Sequence, residues 1–548
     1  MSEPGAADAV ALLEEIKRLM DLKGENPFKA RAFEKAAASV AGHGDLAERA
    51  RKGTLTELAG IGKSIAEVLT EFLTTGKSTV RDELMASLPA GLSELTEIPG
   101  LGPKKALLLI EELGISSVAE LEYACKENRL LKLAGFGAKL QAKILEGVQF
   151  RKSTQNQQRL SDAFGAAERV FRVLTQTAGG LRVSETGALR RRMETLSALE
   201  YLVELPAEES KAAKLRQSLE NAVAALPSGP GSLPARVHFA DPGSFGSELA
   251  RTTATEAHWK AVGSPAALRA ASEEEFYAAI GTPWIPPEAR ETGEEVSLAR
   301  AGKLERLLPW DGIRGVFHNH TTRSDGTASL EEMVAAARER GYEYIGISDH
   351  SQSAFYAQGL KTDALADQER EVRKVQEKFP DIRVFWGIES DILADGSLDY
   401  DRSVLERFDF VIASVHSRFG MDRDTMTGRI LEAVRNPCTR FLGHVTGRLL
   451  LGRKGYEVDL ERVIAEAASH DVAIEINANP ARLDIDWRWG PELRRRGTKV
   501  SVNPDAHETA GLDDVKFGVA MARKALLPGE LVVNARSVDE VAKWLKRG

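Results

Sequence analysis

The residues with the most specific chemistry in this chain are histidines and acids concentrated in its C-terminal part. Seven of the ten histidines among the 548 residues follow residue 310. In segment 315–320 an apolar run ends in His318 and His320, and Asp325 follows in a Ser-Asp-Gly sequence typical of a turn. Because alternate side chains of a strand share one face, both imidazoles can bind the same ion. The segment therefore predicts a metal site at the end of a short strand.

The same arrangement, an apolar strand followed by a histidine or an acid, recurs along the C-terminal part of the chain. Helical segments such as 330–340 and 461–469 separate the strands. This pattern is typical of a β/α barrel, in which functional groups lie at the C-terminal ends of the strands. Packing does not explain so many ligand-type residues in one register, whereas a metal site does. The predicted metal ligands are His318, His320, Asp325, His350, Glu389, His416, His444, Asp505 and His507. His470 lies outside the pattern and is predicted to be a surface or helix residue.

A second pattern occurs three times within residues 58–139: an apolar residue, Gly-x-Gly, then a cation and a predicted helix. Its glycines and lysines are Gly60, Gly62 and Lys63; Gly100, Gly102, Lys104 and Lys105; and Gly135, Gly137 and Lys139. Two such glycines permit a tight hairpin and let backbone N–H groups approach a phosphate at a helix N-terminus. Helix C-caps are the alternative explanation of these glycines. Three copies, each followed by lysine, favour helix-hairpin-helix binding of the DNA backbone without reading of the bases.

Composition limits the class of protein. With 43% hydrophobic and 28% charged residues, the chain is expected to fold into roughly three to five globular domains. It has no run of about 18 apolar residues and no secretion signal at its start, so a cytoplasmic protein without a membrane span is expected. Cys125 and Cys438 lie far apart and are expected to be reduced. The net charge of −8 excludes a uniformly basic surface but allows local phosphate contacts.

Residues 160–300 are predicted to be mixed α/β. Strands are expected at 181–183, 199–204 and 235–239, and the Gly-, Pro- and Ser-rich segment 227–234 is expected to be a loop. Residues 292–308 are predicted to be a mostly polar linker.

The helical repeats, a Gly-x-x-Arg-Arg turn at 187–191 and the segment 277–291 together resemble family X DNA polymerases. The resemblance implies a nucleotidyltransferase palm, in which three aspartates hold two magnesium ions that activate the primer hydroxyl. The family's Asp-x-Asp falls here on Ala198 and Glu200, and its third aspartate falls on His238. Alanine cannot bind a metal, and histidine removes an anionic ligand from a magnesium site. The palm fold is therefore expected without polymerase activity or bound Mg²⁺.

Two further positions bear on this resemblance. If the register is shifted, Asp241 and Glu204 are the nearby carboxylates that could serve instead. The N-terminal module resembles the family's lyase domain, but Val68 occupies the position of its Schiff-base lysine.

Residues 312–548 resemble the PHP (polymerase and histidinol phosphatase) family, and all nine of the ligand positions it implies are filled. The resemblance implies two or three divalent ions, Mn²⁺ or Zn²⁺, with Glu389 bridging two of them; mixed imidazole and carboxylate ligands suit such metals. Clustered ions of this kind hydrolyse phosphate esters. Asp325, His350 and Glu389 are therefore predicted to be catalytic. Arg418 and Arg448 are candidate phosphate clamps, since guanidinium binds phosphate bidentately, or else ordinary surface arginines.

The predicted fold class is a multidomain chain with a helix-hairpin-helix region, a nucleotidyltransferase-like palm and a distorted β/α barrel. The predicted boundaries are a lyase-like domain at 1–80, a fingers-like domain at 81–155, the palm at 156–235, a thumb-like subdomain at 236–300 and the PHP domain at 310–548.

The leading functional prediction is a monomeric metal-dependent 3′→5′ exonuclease, or 3′-end-processing enzyme, acting on gapped, nicked or 3′-ended DNA. Three alternatives remain open: a small-molecule phosphatase of the histidinol-phosphatase type, an active repair polymerase with proofreading, and a non-enzymatic DNA-binding scaffold. The three hairpins count against a small-molecule phosphatase, and Ala198 and His238 count against an active polymerase. The filled ligand positions count against a non-enzymatic scaffold.

Overall fold

The structure is a computed structural model that describes residues 5–41, 43, 45–89, 91–96, 98, 100–226 and 232–546. The chain divides into two compact units, Met1–Gln155 and Asn156–Gly548. The finer domain boundaries expected from the sequence stay predictions.

The first unit is helical. Its helices are α1 (Ala6–Lys23), α2 (Pro27–Val40), α3 (Leu46–Lys52), α4 (Lys63–Thr75), α5 (Thr79–Ser87), α6 (Leu92–Thr96), α7 (Pro103–Leu113), α8 (Val118–Lys126) and α9 (Ala138–Thr154). Their apolar faces form two hydrophobic clusters, one drawn from residues 9–84 and one mainly from residues 92–148.

Each Gly-x-Gly pair forms the turn into a helix. The first glycines, Gly60, Gly100 and Gly135, have φ of +82°, +89° and +84°, a region that side chains rarely adopt. The second glycine of each pair is the N-cap of α4, α7 or α9, in extended conformation. The turns therefore begin helices, which fits a hairpin rather than a helix C-cap. Pro99, within the second copy, lies outside the described residues.

The second unit begins with a small α/β region. Its elements are β1 (Gln158–Arg159), α10 (Leu160–Ala178), β2 (Val183–Glu185), α11 (Gly187–Arg190), β3 (Thr195–Leu196), β4 (Leu199–Glu204), α12 (Glu209–Ala224) and β5 (Ala235–Ala240). β4 is central, antiparallel to β2 and parallel to β5. The strands expected at 199–204 and 235–239 are confirmed, and the strand expected at 181–183 lies two residues later. Of the expected loop at 227–234, residues 227–231 lie outside the described residues.

A second helical group follows, with α13 (Phe245–Thr253), α14 (Glu256–Ala261), α15 (Glu273–Ala279) and α16 (Glu294–Arg300). The prediction of a polar linker at 292–308 is wrong, because this segment contains α16 and a 3₁₀ turn, Lys303–Arg306. Val296 and Ala299 are buried in the hydrophobic cluster of this group. The buried Glu295 has a partner there, since its Oε1 lies 2.7 Å from His258 Nδ1. The most deeply buried acid of this segment thus has a partner inside the fold.

The remainder is a parallel barrel. Its strands are β6 (Gly315–Val316), β7 (Tyr344–Ile347), β8 (Arg383–Asp391), β9 (Phe410–Ser414), β10 (Thr439–Leu442), β11 (Ala473–Asn477) and β12 (Val500–Asn503). The helices are α17 (Leu330–Glu339), α18 (Leu365–Lys378), α19 (Arg402–Leu405), α20 (Arg423–Arg435), α21 (Leu460–Ser469), α22 (Gly490–Arg496), α23 (Val515–Lys524) and α24 (Val538–Leu545).

The seven strands follow chain order across one sheet, and the sheet nearly closes on itself. Beyond β6, the His320 amide donates to the carbonyl of Ala506, just beyond β12, at 2.8 Å. Aromatic side chains fill part of the interior, and the Phe317 ring lies 4.8 Å from Phe441 and 5.1 Å from Phe410. The barrel therefore has a packed interior, and its strands end together at one face. Over the residues that the structure describes, no helix is both long and apolar enough to cross a membrane.

Candidate metal centre

The C-terminal ends of the barrel strands bring the predicted ligands together. His318 and His320 follow β6, His350 follows β7, His416 follows β9, His444 follows β10, and Asp505 and His507 follow β12, whereas Glu389 lies within β8. Asp325 lies in the turn after His320. His318, His320 and Glu389 are fully buried. The barrel face that carries the cluster is partly open, because 29% of the Asp325 side chain and 37% of the His507 side chain are exposed.

All nine predicted ligands belong to groups whose side-chain ligand atoms lie within 4.8 Å of one another. The four groups are His320, Asp325, His350 and His507; His318, Glu389 and His444; His318, His320 and Asp505; and His350, Glu389 and His416. Because the groups share members, they form one continuous cluster.

Glu389 is at the centre of this cluster. Its Oε1 lies 3.0 Å from His444 Nε2 and 3.3 Å from both His318 Nε2 and His416 Nε2. Its Oε2 lies 2.9 Å from His350 Nδ1. This carboxylate thus lies among imidazoles from four strand ends, and its role in bridging two ions stays a prediction.

The donor set fits divalent cations. His318 Nε2 and both ring nitrogens of His320 are buried and make no hydrogen bond of acceptable geometry. Leaving buried polar atoms without partners costs about 1–3 kcal/mol each, and ligation removes that cost. Clustered nitrogen and carboxylate oxygen donors suit transition-metal ions such as Mn²⁺ or Zn²⁺.

The shifted pKa values of His320 and Glu389 match the protonation states in which these two residues bind a metal. Burial, together with the nearby His507 and His350, lowers the pKa of His320 to about 3. His320 is therefore neutral, which is the form that binds a metal. Burial opposes ionisation of Glu389, but the imidazoles of His416, His318 and His350 outweigh it and hold its pKa well below the usual range. Glu389 is therefore an anion.

Several residues that sequence reasoning missed orient these ligands. Glu475, on β11, has Oε1 2.7 Å from His318 Nδ1, and its Oε2 accepts a hydrogen bond from the His444 amide at 2.8 Å. Asp391 Oδ1 lies 2.6 Å from His416 Nδ1. Such outer partners fix the ring orientation and tautomer of a ligating histidine. The signal for Glu475 was present, since 472–477 is an apolar strand that carries an acid.

The two candidate phosphate clamps differ in their surroundings. Arg418 is exposed and has φ +56°. The Arg448 guanidinium is engaged, because it donates to Asp486 and to the carbonyls of Arg482 and Leu483. A further arginine was missed: Arg482 Nε lies 3.5 Å from Oδ2 of the predicted ligand Asp505. His470 is the C-cap of α21, outside the cluster.

Of the degenerate palm positions, Glu200 lies on β4, His238 lies on β5, and Ala198 directly precedes β4. Ala198 is buried. Glu200 Oε1 lies 3.8 Å from Arg236 Nη1 and 3.9 Å from His238 Nε2. The Glu200 carboxylate also approaches Gly187 so closely that a Cβ there would lie 1.8 Å from Oε2. This site thus has one carboxylate facing two basic groups, not three carboxylates.

The alternative carboxylates and the polymerase-like arginines are engaged elsewhere. Asp241 pairs with Arg269 at 2.6 Å, and Glu204 pairs with Arg182 at 2.7 Å. Arg190 forms a bidentate pair with Glu273, and Arg191 pairs with Glu291 at 3.0 Å. In the first unit, Val68 is buried in α4. The exposed lysines at the hairpin turns are Lys63, Lys104, Lys105 and Lys139.

Comparison with known proteins agrees with this architecture. The Helix-hairpin-helix domain family matches residues 4–78, the SAM-like Helix-hairpin-helix tandem family matches residues 92–149, and the PHP domain family matches residues 317–479. The protein named DNA polymerase/3′-5′ exonuclease PolX from Bacillus subtilis (strain 168) is 35% identical over 571 residues, covering 98% of this chain and 99% of that protein.

Shorter relatives match less of the chain. A protein of Caldicellulosiruptor saccharolyticus named probable phosphatase is 30% identical over 42% of this chain and 94% of its own length. A probable phosphatase of Caldanaerobacter subterraneus is 26% identical over 43% of this chain and 92% of its own length. The PHP match and the ligand cluster identify the barrel as a metal-dependent phosphoesterase. The near full-length match to the Bacillus protein, with both helix-hairpin-helix matches, shows that the chain belongs to the bacterial PolX family of X-type DNA polymerases with a C-terminal PHP domain.

Proposed function

We propose that the barrel hydrolyses phosphodiester bonds at DNA 3′ ends, as a 3′→5′ exonuclease or 3′-end-processing enzyme. The observation that carries this proposal is the single cluster of nine ligand-type side chains around Glu389. The hairpins of the first unit would hold the DNA backbone through exposed N–H groups and lysines, since a helix N-terminus is a favourable phosphate site. The full-length relative named for 3′-5′ exonuclease activity supports the same function.

The residues that would hold two or three ions are His318, His320, Asp325, His350, Glu389, His416, His444, Asp505 and His507. When bound, such ions lower the pKa of water and neutralise charge that develops on a phosphoryl group. Mn²⁺ and Zn²⁺ are the proposed metals, because both accept imidazole and carboxylate ligands. Asp325, His350 and Glu389 are proposed to be catalytic, because Asp325 and His350 share the group at the open part of the cluster and Glu389 shares a second group with His350.

The chain's own residues bind and orient the substrate. Arg418 is exposed close after His416, and Arg482 lies beside Asp505, so both can donate to non-bridging phosphate oxygens. Glu475 and Asp391 hold the rings of His318 and His416, which keeps the donor atoms aimed at the cluster. We propose a structural role for Arg448, because its donors are already in use.

The palm is proposed to be inactive as a polymerase and to bind no Mg²⁺. Two magnesium ions need several anionic oxygens, and the Glu200 carboxylate instead faces Arg236 and His238. The nearby imidazole of His238 is the main cause of the lowered pKa of Glu200. Glu200 is thus a charged partner in a local ion pair. Gapped, nicked and recessed 3′ ends are the proposed substrates, and a monomer is the proposed state.

The test is a gel assay on a 5′-labelled primer–template with Mn²⁺, with and without the four dNTPs. A ladder of shorter products in both lanes supports the nuclease with an inactive palm. Primer extension with dNTPs would contradict the proposed inactivity of the palm. An unchanged primer in both lanes would contradict the nuclease itself.

A small-molecule phosphatase is a second candidate, favoured by the relatives named probable phosphatase. The two functions differ in the bond that is cleaved. We expect mononucleotide release from DNA to exceed phosphate release from small monoesters at equal concentrations, because only DNA can also engage the hairpins. The reverse ranking, with an unchanged primer, would favour the phosphatase.

A further inference from the structure

A buried acid of the inactive palm region reaches into the barrel. Glu194 lies between α11 and β3, and only 6% of it is exposed. Its Oε2 accepts a hydrogen bond from Trp487 Nε1 at 3.0 Å, and its Oε1 accepts one from Arg488 Nη1 at 2.7 Å. Both donors belong to the barrel, in the segment that follows β11. Glu194 is therefore committed to the barrel and not to the palm's own cleft.

The contact continues through a chain of ion pairs. Arg488 Nη1 also donates to Asp486 Oδ2 at 2.9 Å. Asp486 in turn accepts a hydrogen bond from the Arg448 guanidinium. Arg448 Nε donates to the carbonyl of Arg482 at 2.9 Å, and its Nη2 donates to the carbonyl of Leu483. Negative and positive side chains thus alternate in a chain that begins at Glu194 and ends where Arg448 donates to the carbonyls of residues 482–483.

Arg482, in this segment, has its guanidinium beside a predicted ligand of the metal centre. Arg482 Nε lies 3.5 Å from Asp505 Oδ2, and 22% of the Arg482 side chain is exposed. The neighbouring Leu483 has φ +46°, which is unfavourable for a branched side chain and needs support from its surroundings. Asp484 supplies part of that support, because its carboxylate accepts hydrogen bonds from the amide and hydroxyl of Thr446 at 2.9 Å. The hydrogen bonds from Arg448 to the carbonyls of Arg482 and Leu483 add to that support, together with backbone hydrogen bonds to Asn479.

We propose that Glu194 is a positioning residue for Arg482, acting through Arg488, Asp486 and Arg448. In this assignment the palm supports the arginine that binds a substrate phosphate in the barrel, which gives a region without polymerase ligands a role in hydrolysis. The assignment rests on the proposed phosphodiesterase activity. It concerns the orientation of a cation and not the binding of the ions, since neither Glu194 nor Arg482 belongs to the ligand groups.

The experiment is a double-substitution cycle on the full-length protein, with Glu194→Gln, Arg482→Ala and the two combined. Glutamine keeps an acceptor for Trp487 but removes the charge that holds Arg488. We expect Glu194→Gln to lower kcat/KM for DNA about tenfold, which is the scale of one lost hydrogen bond to a charged group. We expect the same substitution to have little further effect once Arg482 is alanine, because residues that act through one another are not additive. Most of the loss should appear in KM.

Controls separate positioning from folding. Glu204→Gln removes another palm carboxylate, whose partner Arg182 lies within the palm, and should leave kcat/KM unchanged. Mn²⁺ binding, followed by electron paramagnetic resonance of free Mn²⁺, should be equal in the wild type and in Glu194→Gln. Glu194→Asp, which keeps the charge, should restore part of the activity. Equal Mn²⁺ binding shows that the cluster is still folded in the variant.

Three results would overturn the assignment: equal losses from Glu194→Gln with and without Arg482, wild-type activity in Arg482→Ala, or loss of Mn²⁺ binding in Glu194→Gln. Each of these leaves the proposed nuclease standing, provided that the wild type degrades DNA. Failure of the proposed function is distinguishable, because the wild-type protein itself would then leave the primer intact.

Discussion

A single buried carboxylate, Glu389, joins the parts of the metal centre, because four imidazoles from four different strand ends converge on it. Loss of any one of these imidazoles therefore affects the whole cluster. Several of the side chains on which the chemistry of the barrel depends are oriented by buried acids, such as Glu475 beside His318 and Asp391 beside His416.

Substitution of His350 separates hydrolysis from DNA binding. His350 belongs to two of the ligand groups, one containing Asp325 and one containing Glu389. His350→Ala should reduce phosphodiester hydrolysis at least about a hundredfold, since even outer partners of metal sites are worth 10–100-fold. Binding to DNA should change little, because the hairpins lie in the other unit. Initial rates on labelled DNA and fluorescence anisotropy measure the two properties.

The matched control is His470→Ala. His470 is a histidine of the same barrel, but it caps α21, and its Nδ1 lies 3.1 Å from the carbonyl oxygen of Glu466. This variant should keep full activity. Equal activity in His350→Ala and wild type would contradict the metal centre, and joint loss of activity and DNA affinity would show that the centre itself holds the DNA.

The nine ligand-type residues could be predicted because strand alternation and strand ends are visible in the sequence. Their partners could not be predicted in the same way. Glu475 contacts His318 from 157 positions away, and nothing local indicates which imidazole a given acid will face. For the same reason, the sequence did not show which arginine is available to a phosphate. The Arg448 guanidinium is held by residues 482–486, whereas Arg482 in that segment approaches Asp505. Both contacts exist only in the folded barrel.

The two glycines of each hairpin differ in backbone conformation, so substitutions at them should have different effects. Gly60 has φ +82°, so a side chain there strains the turn, whereas Gly62 has φ −79° and open space around its Cα. Gly62→Ala should therefore fold normally but place a methyl group where a phosphate approaches the exposed N–H groups. We expect weaker DNA binding, by roughly 1 kcal/mol, the net value of one hydrogen bond. Anisotropy titrations at several salt concentrations measure it.

Gly60→Ala is the comparison within the same turn. It should lower the melting temperature of the helical unit, since alanine in the left-handed region costs about 1–2 kcal/mol. If Gly62→Ala binds DNA as tightly as wild type, this hairpin does not contact phosphate. The same pair of substitutions at Gly100 and Gly102, or at Gly135 and Gly137, then tests the other two copies.

The Arg-Arg turn of the palm contributes to stability through a buried acid. Glu273 is 5% exposed and pairs with Arg190 and Arg290. Burial opposes its ionisation, but both guanidinium groups outweigh burial and lower its pKa to about 2. Since the folded pKa lies below that of the unfolded chain, the stabilisation is present above about pH 4.5. It is lost as the pH falls towards 2.

Glu273→Gln should lower the free energy of unfolding by about 3 kcal/mol at pH 7, because it leaves buried Arg290 without its charged partner. The difference from wild type should shrink below about pH 4.5. Urea unfolding followed by tryptophan fluorescence measures both values. Glu185→Gln is the control, since its pair with Arg192 is 27% and 31% exposed and should be worth less than about 1 kcal/mol. A loss independent of pH would contradict this account.

At the level of helices and strands, most of the barrel could be predicted from the periodicity of its strands and helices. The prediction of a linker at 292–308 was wrong for a physical reason. Glu295 looks like a solvent-exposed acid in the sequence, but His258, far away along the chain, binds it inside the fold. A buried acid with a hydrogen-bond partner of this kind makes a packed segment look polar in the sequence, so polarity alone does not distinguish it from a linker.

The division into two units places the proposed DNA contacts and the metal centre in different parts of the chain. The first unit carries the three hairpins, and the second carries every ligand of the metal centre. Family membership alone does not determine which activities are kept. Membership of the PolX family would imply a polymerase, whereas Ala198, Glu200 and His238 do not provide the three carboxylates that two magnesium ions would need.

Removal of the ions should destabilise the second unit alone. Ions that bind only the folded state stabilise it by about 4 kcal/mol at a concentration 1,000 times Kd. Without them, the buried carboxylates of Glu389 and Asp505 lose the cations that compensate their charge. All seven tryptophans lie between residues 259 and 544, so their fluorescence reports only on this unit.

Treatment with EDTA should therefore lower the Tm observed by tryptophan fluorescence, and Mn²⁺ should restore it. His350→Ala should show a smaller shift than His470→Ala, because it has lost a ligand. An EDTA-insensitive Tm in the wild type would show that the cluster holds no ions tightly, and the metal centre would then require substrate to assemble.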